Sequence, residues 1–245
     1  STGVFDYSDT IHDPNKQNTI SNAIVILSDG TNADTMKPAF CMTDYTWGNV
    51  YDSCFESSMK IEAGKTYYID VFAKGKHASG KLTMPLQTQI TATSVSHKSD
   101  TLQGFPQDYY EVKVNFKDKP GTGDYYRLNA LYYEWDVRWN GTSFDTIYYP
   151  ISEKGELMND LGRDGQTFSA MYKWYDQFNR DSFSVDMYVD AMTKETHDFF
   201  ESVDMQNQHN GDPFSEPIVI KGNIVNGLGL FGAITPSKPK RVKLK

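Results

Sequence analysis

Gly227, Gly229 and Gly232 spell G-x-G-x-x-G, the spacing that lets a dinucleotide-binding turn press its backbone against a pyrophosphate. That chemistry requires a helix N-terminus directly afterwards, because its free N–H groups hold the phosphates. Pro236 and Pro239 follow within a few residues and bar a helix. The reading that survives is a backbone turn packed closely beside a neighbouring strand. Asn159 to Gly165 is a second stretch rich in oxygen ligands, with Asp160 and Asp164 as the candidates for holding calcium. It lacks the alternating ligand spacing of an EF-hand loop, so it reads as an ordinary polar loop and no metal is assigned. Glu134 and Asp136 share a strand face and could form a carboxylate pair of the glycosidase kind, though solvated strand residues have the same pattern. The five histidines are scattered, and His197 with Glu201, four apart, reads as a surface ion pair on a helix. Neither a nucleophile elbow nor an H-E-x-x-H pair occurs. No catalytic residue and no cofactor is assigned.

The densest ligand-like feature is aromatic. Between Tyr125 and Phe178 the tyrosines and tryptophans crowd two or three strands, and sugars or peptides are often held on such faces. Odd positions place Tyr133, Trp135 and Trp139 in the core, which leaves Tyr132, Tyr149 and Trp174 as the candidates for an exposed binding platform. Cys41 and Cys54 stand 13 apart around a polar loop. Four metal ligands do not assemble there. The pair is either a disulfide, worth roughly 3 kcal/mol in an oxidising compartment, or two free thiols.

With 245 residues the chain can bury one large β core or two smaller ones. Its 24 basic and 32 acidic residues give a charge of −8, which argues against nucleic acid as a partner. Against that balance, the stretch Lys238 to Lys245 is basic and reads as a solvated last strand or a contact for anionic lipid. No apolar run approaches the ~20 residues that a membrane-crossing helix needs.

The elements that must position these groups are mostly strands. Asn22 to Ser28 leads into an Asp29-Gly30 turn, and Ser53 to Ile61 with Thr66 to Lys74 flank a Glu62-Ala63-Gly64-Lys65 turn that suggests a hairpin. Ser94 to Gly104 is the linker candidate. Tyr110 to Phe116, Tyr125 to Trp139, Phe144 to Ile151 and Phe183 to Ala191 alternate apolar with polar. One helix is expected near 193–208, capped by Thr193, with Glu195 in its first turn. The fold class is therefore mainly β. An immunoglobulin-like or prealbumin-like β-sandwich over 1–98 precedes a second antiparallel β domain over 104–245 that carries the helix.

The closing stretch from Pro213 through Asn226-Gly227-Leu228-Gly229 to Gly232 resembles the end of a family of Bacteroidetes outer-membrane lipoproteins, domain of unknown function 4249. Asn22-Ala23-Ile24-Val25 before Asp29-Gly30, Ala63 to Tyr68, Asp124 to Leu128 and the passage around Phe199-Phe200 are also similar. The resemblance implies a non-enzymatic, lipid-anchored protein of the outer membrane, on its surface or periplasmic face. Its implied partner is a TonB-dependent transporter, for which it captures a ligand. Family members carry an export signal, a lipid-bearing cysteine and a first strand, so this chain is expected to be a trimmed form without them. The alternatives are a stand-alone glycan- or peptide-binding module and a carboxylate-based hydrolase. Asp-Thr-apolar triplets at Thr10, Thr35, Thr101 and Thr146 match the O-glycosylation pattern of exported proteins of that phylum.

Overall fold

The structure is a computed structural model and describes residues 22–45, 48–102, 105–121, 123–139, 143–175, 183–209 and 218–244, by backbone alone at 42–45, 48–52, 102, 105–106, 134–139 and 147–150. It is mainly β with one helix among the described residues, as the alternating pattern predicts. Two compact units divide the chain. The first takes the described residues up to Pro85 together with Thr193–Ala233, and the second takes Leu86–Met192 with the stretch from Ile234 onward. This differs from the expected 1–98 and 104–245. The chain leaves the first unit at Pro85 and returns to it at Thr193, bringing the helix with it.

In the first unit β1 (Ile24–Ser28), β2 (Ala33–Thr35), β5 (Thr66–Ala73) and β6 (Lys76–Thr83) form an antiparallel sheet in the order β2-β1-β5-β6. The β1–β2 turn is held by Asp29, whose carboxylate accepts the N–H groups of Thr31 and Asn32 at 2.9 and 2.7 Å. One sheet face buries Val25, Leu27, Tyr67, Ile69 and Leu82. Burying side chains of this size contributes roughly 1.5–3 kcal/mol each. A separate hairpin pairs β3 (Lys37–Tyr45) with β4 (Gly48–Glu56). The expected hairpin around Glu62 to Lys65 does not form, because β4 pairs with β3 while β5 pairs with β1 and β6.

The helix α1 (Lys194–His209) starts as the sequence predicts: Thr193 Oγ1 accepts the Thr196 N–H at 3.2 Å. Its buried residues are Thr196, His197, Phe199 and Ser202.

The chain from Lys221 to Ala233 completes the first unit. Ser79 and Val225 exchange backbone hydrogen bonds at 3.1 and 2.8 Å, extending β6 by one rung. The side chain of Asn223 clamps the loop shut. Its amide nitrogen donates to the Phe231 carbonyl at 2.8 Å, and its oxygen accepts the Phe231 N–H at 2.7 Å. Thr196 Oγ1 accepts the Ala233 N–H at 3.0 Å, and Thr193 N–H donates to the Ala233 carbonyl. Glycine is required here by space. A Cβ on Gly222 would stand 2.3 Å from the Gly229 carbonyl oxygen, and one on Gly232 would stand 2.3 Å from Thr196 Oγ1.

The second unit is a sandwich. One sheet runs β10 (Phe144–Asn159), β9 (Tyr125–Trp139), β12 (Ser184–Met192), β13 (Ile234–Pro236), with β14 (Lys240–Lys243) also on β12. The other runs β11 (Thr167–Tyr175), β8 (Phe105–Lys117), β7 (Gln89–Leu102). Val112, Val114 and Phe116 from β8 meet Val185, Met187 and Val189 from β12 in a core where each is fully buried. Most of the expected linker at 94–104 is strand: β7 pairs residue by residue with β8 as far as Leu102 opposite Phe105. Its Ser, Thr, Lys and Asp residues read as linker because little of this length is buried.

If the Asn223 clamp holds the first unit closed, Asn223→Ala removes two hydrogen bonds from a half-buried loop. It should cost about 1–3 kcal/mol, seen as a lower midpoint in thermal denaturation. Asn223→Asp, which keeps the acceptor and loses the donor, should fall between. An Asn223→Ala chain melting like the wild type would refute the clamp.

Candidate functional site

At one end of the sandwich two polar loops, 118–124 and 160–166, meet through aspartates. The alternation that buries Val112, Val114 and Phe116 carries on to Asp118, which is buried at the strand's end. The carboxylate oxygens of Asp118, Asp160 and Asp164 lie within 4.8 Å of one another. Asp118 accepts the Tyr126 hydroxyl and the Gly165 N–H at 2.8 Å. Asp160, also buried, accepts the Gly123 N–H at 3.0 Å, and Asp164 accepts the Gly121 N–H at 2.8 Å. An all-oxygen set of this kind suits a hard cation such as Ca2+. In this geometry, however, the carboxylates already serve backbone amides from the opposite loop, and holding the two loops together is the role the contacts assign them. The sequence expectation pointed at Asp160 and Asp164. It missed Asp118, 42 residues before Asp160, because only the strand pairing brings the two loops together.

The crowding shows in Asp124, whose carboxyl is pushed up to about 6. Burial is the larger cause, followed by the negative charges of Asp118 and Asp160. Burial also drives the Tyr126 hydroxyl upward. On the outward side of β12, burial raises Asp190 to about 6 despite a 2.7 Å hydrogen bond from Asn129 and the charges of Arg127 and Lys154.

The aromatic platform expected from the sequence is core. Tyr132 is 6% exposed, its ring meets Trp174 edge-on at 4.3 Å, and Trp174 stacks on Phe183 at 4.8 Å. Glu153 ties the group together by accepting the hydroxyls of Tyr132 and Tyr172. Tyr133, assigned to the core, is 51% exposed. Even positions of β9 (Tyr126, Leu128, Ala130, Tyr132) face inward. The charged Arg127 and the polar Asn129 at odd positions were the signal for this, outweighed in the reading by the larger aromatics further along. The side chains of Tyr149, Glu134, Asp136, Trp135 and Trp139 lie outside the described ones.

His197 is buried and approaches Asp198 at 3.5 Å, while Glu201 binds Lys221 at 3.2 Å, so the expected His197–Glu201 ion pair does not form. Cys41 and Cys54 are joined in a disulfide across β3 and β4, with Cα atoms 5.7 Å apart. Thr35, Thr101 and Thr146 are exposed on strands, and Thr10 lies outside the described residues.

The closing motif is the loop clamped by Asn223. After Gly232 the chain enters β13, so the G-x-G-x-x-G glycines serve close packing and a left-handed turn at Gly229, with φ at 128°. That segment lies near the end of a match that spans nearly the whole chain: the profile of a family described as a domain of unknown function, DUF4249, covers residues 4–240. The chain belongs to the DUF4249 family. No curated protein and no solved structure matches it. Within this DUF4249 chain the glycines and Asn223 of the motif have a structural explanation, whereas the aspartate cluster lies in the other unit.

A carboxyl whose folded value sits above its unfolded one destabilises the fold when ionised. The fold therefore gains stability as pH falls from about 6 toward 3.8. Asp124→Asn should stabilise the fold at pH 7.5 by on the order of 1 kcal/mol, since the half-exposed site is screened by solvent, and this is read as a higher melting temperature. The gain should shrink as pH falls below about 6 and vanish only below 3.8, where Asp124 carries its proton in the unfolded chain too. A variant less stable than the wild type at pH 7.5 would contradict the repulsion.

Proposed function

We propose that this protein works in the cell envelope as a non-enzymatic accessory of a TonB-dependent outer-membrane transporter, capturing a ligand for it, and that it is lipid-anchored at the outer membrane. The observation that carries the compartment is the Cys41–Cys54 bond. Both cysteines of the chain are used in it, and disulfides persist where the surroundings are oxidising. Membership of DUF4249, with the outer-membrane context that the resemblance implies, supports the partner.

The binding role draws support from how the carboxylates are used. Asp118, Asp160 and Glu153, buried or half-buried acids, are each engaged in hydrogen bonds that hold loops or strands together. Tyr132 and Trp174 pack into the core, which removes the support for a free-standing aromatic platform on those strands.

Gentle detergent extraction of the native protein, followed by affinity purification and mass identification, tests the reading. A stoichiometric β-barrel transporter should travel with it. Recovery of the protein alone from cells that express such transporters would overturn the proposal.

A further inference from the structure

The sheet β11-β8-β7 has one face in the core and one turned outward. Register fixes the outward residues. Along β8 they are Lys117, Asn115, Lys113 and Glu111, and Lys173 of β11 lies opposite Glu111. From β7, Lys98 binds Glu111 at 2.8 Å. Four lysines thus stand against Glu111 and Asp100, a net excess of two positive charges, on a protein whose total is −8. Asp100 marks the far end of the face, opposite Gln107. Lys113 and Lys117 are both exposed and, four strand residues apart, sit roughly 13 Å from each other. Hydroxyl and amide groups fill the space between them: Ser94 lies beside Lys113, and Ser169 beside Asn115.

We propose that this face is a docking surface for an extended acidic polysaccharide, one whose carboxylates recur along a polyhydroxylated chain. Charge complementarity makes the partner anionic. The lysines supply the counter-charges at intervals, and the serines and Asn115 exchange hydrogen bonds with sugar hydroxyls. A protein partner fits poorly, since the centres of protein interfaces are depleted in lysine and serine. A lipid surface fits poorly too. Basic clusters that recognise anionic lipid carry about four to eight cations; the four lysines here are at the bottom of that range, Lys98 is already paired with Glu111, and Met171 is the sole large apolar side chain exposed near the middle of the face among the described residues. The inference concerns the second unit alone and does not depend on the transporter reading.

Polygalacturonate is the probe, with neutral dextran as its control and phosphatidylglycerol vesicles as the lipid arm. In low salt the intact protein should be retarded by polygalacturonate in affinity electrophoresis and not by dextran. Raising the salt should weaken the retardation. The pair Lys113→Glu and Lys117→Glu, both at exposed positions, should weaken binding by roughly ten-fold or more. The milder Lys113→Gln with Lys117→Gln should weaken it less, and Lys76→Glu on the first unit should leave it unchanged. Melting curves of all variants identify any that fail to fold, and the glutamine pair serves if the glutamate pair does. The proposal falls if polygalacturonate does not retard the wild type, or if the lysine variants bind as the wild type does. It falls equally if vesicles bind in a lysine-dependent way while polygalacturonate does not.

Discussion

The first unit depends on a segment that arrives from far along the sequence and has to lie closer to its neighbours than any side chain would allow. Gly222 passes against the Gly229 carbonyl and Gly232 against Thr196, at separations that a Cβ would bring to 2.3 Å. Backbone approaching this tightly needs its polar groups satisfied, and the Asn223 side chain does so for Phe231 while Thr196 does so for Ala233. The apolar side chains then have somewhere to go. Phe231 reaches Gly80, which is free of a side chain for the same reason, and Ala233 joins Val25, Leu27 and Ile69. Glycine, asparagine and threonine at fixed places are thus the condition for a four-stranded sheet to be completed by residues more than a hundred positions later.

The second unit rests on a more ordinary constraint. Its two sheets share a core of β-branched and aromatic residues at alternate positions, fully buried in β8 and β12. The bulge in β10 between Lys154 and Leu157 needs glycine at Gly155, where a Cβ would stand 2.4 Å from the Leu128 carbonyl oxygen. Where the strands end, Asp118, Asp160 and Asp164 bind the loops by accepting their amides, at the cost of crowding Asp124.

What was legible in the sequence was whatever depends on neighbours along the chain. The mainly-β class, the strand from Thr66, the amphipathic strand ending at Ala191, the Thr193 cap and the turn at Asp29 all follow from local spacing and turn chemistry. Partners were less legible. Nothing local says that β5 pairs with β1 rather than β4, or that a helix after Met192 belongs with residues before Pro85. The facing of β9 was misread because its apolar residues shift from even to odd positions along one strand, so the larger aromatics at Tyr133 and Trp135 outweighed the buried Tyr126 and Leu128. Of the candidate site, Asp160 and Asp164 were visible as an oxygen-rich loop, and Asp118 was not, since its membership depends on the pairing of β8 with β11.

Hydrogen exchange on the intact chain and its Gly232→Ala variant tests most directly whether the closing segment completes the first unit. The added methyl has to displace Thr196, a buried side chain, or Gly232 itself. The account predicts lost protection across Thr66 to Thr83 and Lys194 to His209, with the amides of Val112 to Phe116 and Val185 to Ala191 exchanging as slowly as before. Unchanged protection in the first unit, or an equal loss in both, would contradict it.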